Sequence, residues 1–188
     1  MANKKIPADA TKVFSTKLFE VYTKEQEQFN GSFKTFERVR TYDIAKAICI
    51  VDDEIIVLHE EKPGGSPKIW IPGGMLELHE EPDAAVRREV EEETGIVFDV
   101  YEKLTAIESN VGLVEAYRYF YIARQPRVFG EARLDAGWEK ITQERISFEM
   151  FLDMIVHKNK FSGLSAWLIE EYILPGKTEE LRKLLFGN

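Results

Sequence analysis

Residues 74–96 read GMLELHEEPDAAVRREVEEETGI. Seven of these 23 residues are glutamate, and an acidic run is most often a solvated helix face. The spacing here argues for something else. Glu89 lies three residues before Glu92 and four before Glu93, so a helix brings all three to one face. Like charges that close destabilise a bare helix, and no lysine partner shares the face. The pattern therefore points to a bound cation. Arg88, four before Glu92, is placed to hold one carboxylate while the others bind metal.

The helix has clear ends. Pro82 suits its first position, and Asp83 puts negative charge at the positive end of the helix dipole. Ala85, Val86 and Val90 form the buried stripe, and Gly95 is a left-handed stop from which Ile96 folds back. The expected helix is 82–94, with its acidic face at the edge of a cleft. Just upstream, Ile69-Trp70-Ile71 reads as a short strand ending in Pro72-Gly73-Gly74, a turn that lets backbone approach a ligand.

Composition bounds the function. A chain of 188 residues with 44% apolar residues buries a full core. The net charge of −8 argues against nucleic acid or an anionic membrane as partner. An anionic substrate would then need a metal to bring positive charge. One cysteine, Cys49, in an apolar run excludes an internal disulfide and fits a reducing, cytoplasmic location. The start of the chain is polar, unlike a secretory signal, and no apolar run approaches a membrane span.

The rest of the chain divides into an N-terminal tail and β extension, 1–42, and a main body, 43–188. Val13–Tyr22 is expected as one strand, with Asn30-Gly31 turning it into a second over Ser32–Tyr42. Phe36, Arg38 and Arg40 share a face of that second strand. Ile44–Val51 is apolar apart from Lys46 and suits a central strand, which Asp52-Asp53 turns back into Glu54–His59. Residues 60–68 are a loop in which Lys62 is either a phosphate ligand or, the blander reading, solvated. Three separate strand-like segments follow at 96–101, 104–109 and 115–123, then a loop over 125–137 and a short strand at 138–141. Ser147 caps an amphipathic helix carrying Phe148, Phe151, Leu152 and Ile155. Further helices are expected at 162–174 and 178–186.

The acidic stretch resembles the box of the Nudix hydrolases, G-x5-E-x7-R-E-U-x-E-E-x-G-U, with U a bulky aliphatic residue. Gly74, Glu80, Arg88, Glu89, Val90, Glu92, Glu93, Gly95 and Ile96 fill every fixed position. The resemblance implies an α+β fold, a Nudix-type α/β/α sandwich with a mixed sheet, to which residues 1–42 add a small β extension. It also implies hydrolysis of the phosphoanhydride in a nucleoside diphosphate linked to another group, with Mg²⁺ or Mn²⁺ as cofactor. Glu89, Glu92, Glu93 and the Gly73 carbonyl would be the metal ligands. Arg88 would orient Glu89 and Glu92, and Glu80 would support the loop before the helix. The general base would be a glutamate outside the box: Glu139 first, Glu131 second, Glu144 third.

Within that family, the N-terminal β unit and C-terminal helices look like the ADP-ribose pyrophosphatase branch. That likeness implies a homodimer, with Phe36, Arg38, Arg40, Gly112 and Glu115 as substrate contacts. The chain departs from the branch at His59-Glu60-Glu61-Lys62, where an arginine-rich strand end is usual, and at Gly73-Gly74, where Ala-Gly is usual. ADP-ribose and a nucleotide sugar both stay open as substrates. The alternatives are clean-up of modified nucleoside triphosphates and a ligand-binding regulatory domain without turnover.

Overall fold

The computed structural model describes residues 6–77, 79–108, 112–133, 140–158, 160–161 and 163–187. Its strands are β1 (Thr11–Ser15), β2 (Phe19–Glu27), β3 (Phe33–Thr41), β4 (Ile44–Val51), β5 (Glu54–Glu61), β6 (Lys68–Trp70), β7 (Gly73–Met75), β8 (Ile96–Glu108), β9 (Val114–Glu115), β10 (Tyr117–Phe129) and β11 (Lys140–Ile146). Helices are α1 (Pro82–Thr94), α2 (Phe148–Val156), α3 (Gly163–Leu168) and α4 (Thr178–Phe186). The chain forms two compact units: Met1–Ile44 with Ala106–Arg118, and Ala45–Thr105 with Tyr119–Asn188.

In the first unit, β1, β2, β3 and β9 form a four-stranded sheet in that order. The β2–β3 hairpin turns at Asn30-Gly31, with Gly31 at φ 77° and the Asn30 carboxamide oxygen accepting from the Ser32 amide at 3.0 Å. Residues 13–22 are two strands rather than one. The Thr16 hydroxyl oxygen accepts from the amides of Leu18 and Phe19, both at 3.1 Å, and this local turn breaks the run. Threonine is also a good strand former, so the break is invisible to a propensity reading. Every residue of β1 is exposed.

The second unit is built on a seven-stranded sheet whose main path is β11-β5-β4-β10-β8, with β6 beside β5 and β7 beside β4. Asp52 and Asp53, at φ 51° and 62°, make the tight β4–β5 turn. Alternate residues Ala45, Ala47, Cys49 and Val51 of β4, with Ile56 and Leu58 of β5, pack on Ala85, Val86 and Val90 of α1. The opposite alternation, Ile48, Ile50, Ile55 and Val57, is equally buried, and α2 lies against β5. This is the expected sandwich, with helices on both faces of a mixed sheet.

Several boundaries differ from the sequence reading. Residues 96–108 are one continuous strand, and β10 runs through Gln125, at φ 59°, and Pro126 to Phe129. The final strand, β11, runs on to Ile146, beyond the expected end at 141, and pairs with β5 from Ile55 to Glu61; residues 138–139 lie outside the described ones. The Ser147 hydroxyl caps α2 by accepting from the Met150 amide at 3.2 Å. The helix begun as α3 widens into a π-helical turn over Ile169–Ile173. Among the described residues no helix is long and apolar enough to cross a membrane.

Candidate active site

Helix α1 starts at Pro82 and stops at Gly95, whose φ of 70° makes it the left-handed cap; its amide donates to the Glu91 carbonyl at 2.8 Å. A side chain at Gly95 would overlap the Gly130 carbonyl, because the 130–133 segment is moored on this helix end. The Gly130 amide donates to the Gly95 carbonyl and the Arg133 amide to the Glu92 carbonyl, both at 2.7 Å. Thr94 turns its hydroxyl back to the Val90 carbonyl and accepts from the Ile96 amide. No basic residue occupies the last turn. Glu91, Glu92 and Glu93 therefore stand at the negative end of the helix dipole, an unfavourable place for carboxylates without a cation.

Arg88 is the centre of the cluster. Its Nε and Nη2 donate to the two Glu80 carboxylate oxygens at 3.0 and 2.8 Å, a bidentate pair. Nη1 donates to Glu89 at 2.8 Å and to Glu92 at 3.3 Å, and Nη2 also reaches the Met75 carbonyl at 3.2 Å. The main partner is thus Glu80, on the loop before the helix, and the Glu92 contact is the longest. Glu80 further accepts from the Glu77 amide at 2.9 Å. Its bonds to Arg88 hold its carboxyl below the ordinary glutamate range. Glu89 goes the other way. Burial raises it, outweighing the nearby Arg88.

The Pro72-Gly73-Gly74 turn feeds this cluster from the other side. The Gly73 amide donates to Glu93 at 2.7 Å. Gly73 sits at φ 129°, and a Cβ there would overlap the backbone of Ala45 and Lys46. A Cβ on Gly74 would overlap the Glu89 carboxylate, so glycine leaves the space that carboxylate occupies. Lys46 completes the turn. Its Nζ donates to the Ile71 carbonyl at 3.2 Å and the Gly73 carbonyl at 3.0 Å, and lies 5.3 Å from the Trp70 ring centre. The sequence reading gave Lys46 no role. Its only signal was being the one charge in an otherwise apolar strand.

Hard oxygen donors on one helix face, a backbone carbonyl beside them and a glycine cradle suit a divalent cation. Among the described residues no three acidic, histidine or cysteine side chains already converge as a ligand set. Arg88 draws Glu89 and Glu92 to itself, while the Gly73 amide draws Glu93. The donor chemistry fits a metal, and the internal cations occupy part of its field.

The expected residues outside the box fall into separate places. Glu131 is exposed, between the two moored residues Gly130 and Arg133. Glu139 lies outside the described residues. Glu144 on β11 contacts His59 at 2.6 Å. Lys62 is ion-paired with Glu60. In the first unit the Arg38 guanidinium stands 5.8 Å from the Phe36 ring centre. Arg40 donates to Glu115 at 3.2 Å and Asp43 at 3.0 Å. Glu115 is buried and also accepts from the Ile6 amide. Among the described residues, and apart from its chain neighbours, nothing stands within 4 Å of where a Gly112 side chain would begin.

Comparison with known proteins bears on the family and the fold. The NUDIX domain model matches residues 41–161. The chain is 26% identical over 160 residues to ADP-ribose pyrophosphatase of Bacillus subtilis (strain 168), covering 84% of this chain and 86% of that protein. It is 30% identical over 114 residues to the methanol dehydrogenase activator of Bacillus methanolicus, covering 60% of this chain and 62% of that one. A crystal structure of an ADP compounds hydrolase superposes with a TM-score of 0.67 at 18% identity, covering 91% of this chain and 95% of that one, and so shares the fold. The intact box, its arginine-centred cluster and the match over residues 41–161 place this chain in the Nudix family, as a Nudix pyrophosphatase resembling the ADP-ribose pyrophosphatase branch.

Proposed function

We propose that the protein hydrolyses the phosphoanhydride bond of a nucleoside diphosphate linked to another group, ADP-ribose or a nucleotide sugar, in a Mg²⁺- or Mn²⁺-dependent reaction. The products are a nucleoside monophosphate and a phosphorylated leaving group. The observation that carries the reading is the set of half-buried carboxylates at the end of α1, Glu89, Glu92 and Glu93, around Arg88 and the Gly73-Gly74 turn. The similarity to an ADP-ribose pyrophosphatase over 86% of that protein supports the substrate class.

In this reading Glu89, Glu92, Glu93 and the Gly73 carbonyl hold the metal. The metal, when bound, neutralises charge on the diphosphate and acidifies a water. Arg88 and Glu80 keep the carboxylates oriented, and Glu131 or Glu139 takes the proton from the attacking water. Phe36 and Arg38 contact the nucleoside and phosphate; Arg40, Gly112 and Glu115 shape the same region of the first unit. The exposed apolar side chains of that unit, Val13, Phe14, Leu18, Phe19 and Phe33, support a homodimer. A cytoplasmic location fits the single free Cys49.

The test is a phosphate-release screen with Mg²⁺ over ADP-ribose, nucleotide sugars and modified nucleoside triphosphates, with phosphatase added to free phosphate from the monophosphate products. ADP-ribose should give AMP and ribose 5-phosphate. Pyrophosphate release from triphosphates alone would replace this substrate class with nucleotide clean-up. Ligand binding without turnover across the screen would leave a regulatory domain.

A further inference from the structure

The Gly73 peptide is gripped at both ends. Its amide donates to Glu93 at 2.7 Å, and its carbonyl accepts from the Lys46 ammonium at 3.0 Å. The same ammonium holds the Ile71 carbonyl at 3.2 Å, so Lys46 ties β4 to the turn that precedes the helix. Burial lowers the pKa of this ammonium, and the charges of Glu93, Glu60 and Glu89 work against that shift. The Gly73 Cα lies so close to β4 that a side chain there would meet the Lys46 backbone. Lysine and turn therefore cannot drift apart without unmaking the strand contact.

A divalent cation that ligates the Gly73 carbonyl would meet an ammonium already bonded to that oxygen. Two positive centres on one carbonyl, in a half-buried site, repel strongly. We propose that Lys46 is the built-in counter-cation of this site: it holds the Gly73 carbonyl and offsets Glu93 and Glu89 in the metal-free protein, and a divalent ion must displace it to bind. Lys46 is thus a positioning residue that sets how tightly metal is held. The long stem lets the ammonium swing away without moving β4. The inference rests on the reading of this cluster as a divalent-metal centre.

Direct Mn²⁺ binding, read by the electron paramagnetic resonance signal of free Mn²⁺, tests it without reference to turnover. Lys46→Gln removes the charge and keeps a hydrogen-bond donor; it should bind Mn²⁺ about tenfold more tightly or better than wild type. Lys46→Arg keeps the charge and should gain little. Equal or weaker binding by Lys46→Gln, or equal tightening by Lys46→Arg, overturns the role of Lys46 and leaves the metal site standing. Wild-type protein that binds no Mn²⁺ overturns both. Should the variants not fold, the wild-type Lys46 ¹⁵Nζ resonance decides: it should move on titration with Mg²⁺, and a resonance unchanged at saturation overturns the inference.

Discussion

Two arginines organise two clusters, one in each unit, and they are built to different ends. Arg40 bonds Asp43 and Glu115, and each carboxylate spends a further oxygen on backbone: Asp43 on the Tyr117 amide at 2.8 Å, Glu115 on the Ile6 amide at 2.9 Å. That cluster joins the N-terminal tail, β3, β9 and the start of β10. Arg88 draws instead on Glu89 and Glu92 of its own helix, plus Glu80 just before it, with Glu93 close behind. Four carboxylates there face the cations Arg88 and Lys46, and two of them, Glu92 and Glu93, stand at the wrong end of a helix dipole. A structural cluster closes its charges with amides from distant segments. A functional one gathers most of its carboxylates on one helix face, around cations from that helix and the neighbouring strand.

The largest expected effect breaks the functional side of that contrast. Glu93→Gln should cut turnover by about a hundredfold or more, with the fold intact by circular dichroism. A Glu93→Gln protein with full activity would remove Glu93 from the metal. Gly74→Ala should follow, lowering activity about tenfold with little change in melting temperature. Its new methyl collides with the flexible Glu89 carboxylate and not with backbone.

On the structural side, Arg40→Ala strands the buried Glu115 and should cost about 2 kcal/mol in urea unfolding. If that variant stays as stable as wild type, the Arg40 cluster is not the clasp described here. Lys34→Ser, at an exposed position of β3, should stay within about 0.5 kcal/mol.

Acid titration separates two carboxylates of the same cluster. Glu80 is lowered by its hydrogen bonds to Arg88, so its stabilisation is present above the ordinary glutamate range and is lost as pH falls through its folded pKa. Glu89 is raised by burial, so its contribution is present at low pH and is lost as pH rises through its folded pKa. Metal needs the ionised form of Glu89. Mn²⁺ affinity should therefore climb with pH over a limb displaced above that of an ordinary glutamate, and Glu89→Gln should erase that limb.

Much of this is legible in the sequence. Helix α1 ends where Pro82 and Gly95 say it should, because both residues act through their own backbone. The box carboxylates fall on one face because the helical period puts them there. Lys46 was illegible because its partners, Ile71 and Gly73, come from a turn more than twenty residues away, and no local pattern announces that approach. The mooring of Gly130 and Arg133 was equally hidden, since backbone amides carry no sequence signature. Nor does a threonine in a β-rich run disclose that its hydroxyl will cut the run in two, as Thr16 does.

That mooring has a bearing on where the chain can vary. Arg133 adds a side-chain tie to Glu91 at 2.8 Å, beside the two amide bonds that pin residues 130 and 133 to the end of α1. Whatever follows residue 133 begins from a fixed origin relative to the catalytic helix, and β11 picks the chain up again on β5. Insertions, deletions or transplanted sequence between these two piers would leave the carboxylates of α1 in place, and those that remove Glu139 would test the proposed base. Natural drift and laboratory recombination would find there a stretch to vary while the metal-facing carboxylates keep their places.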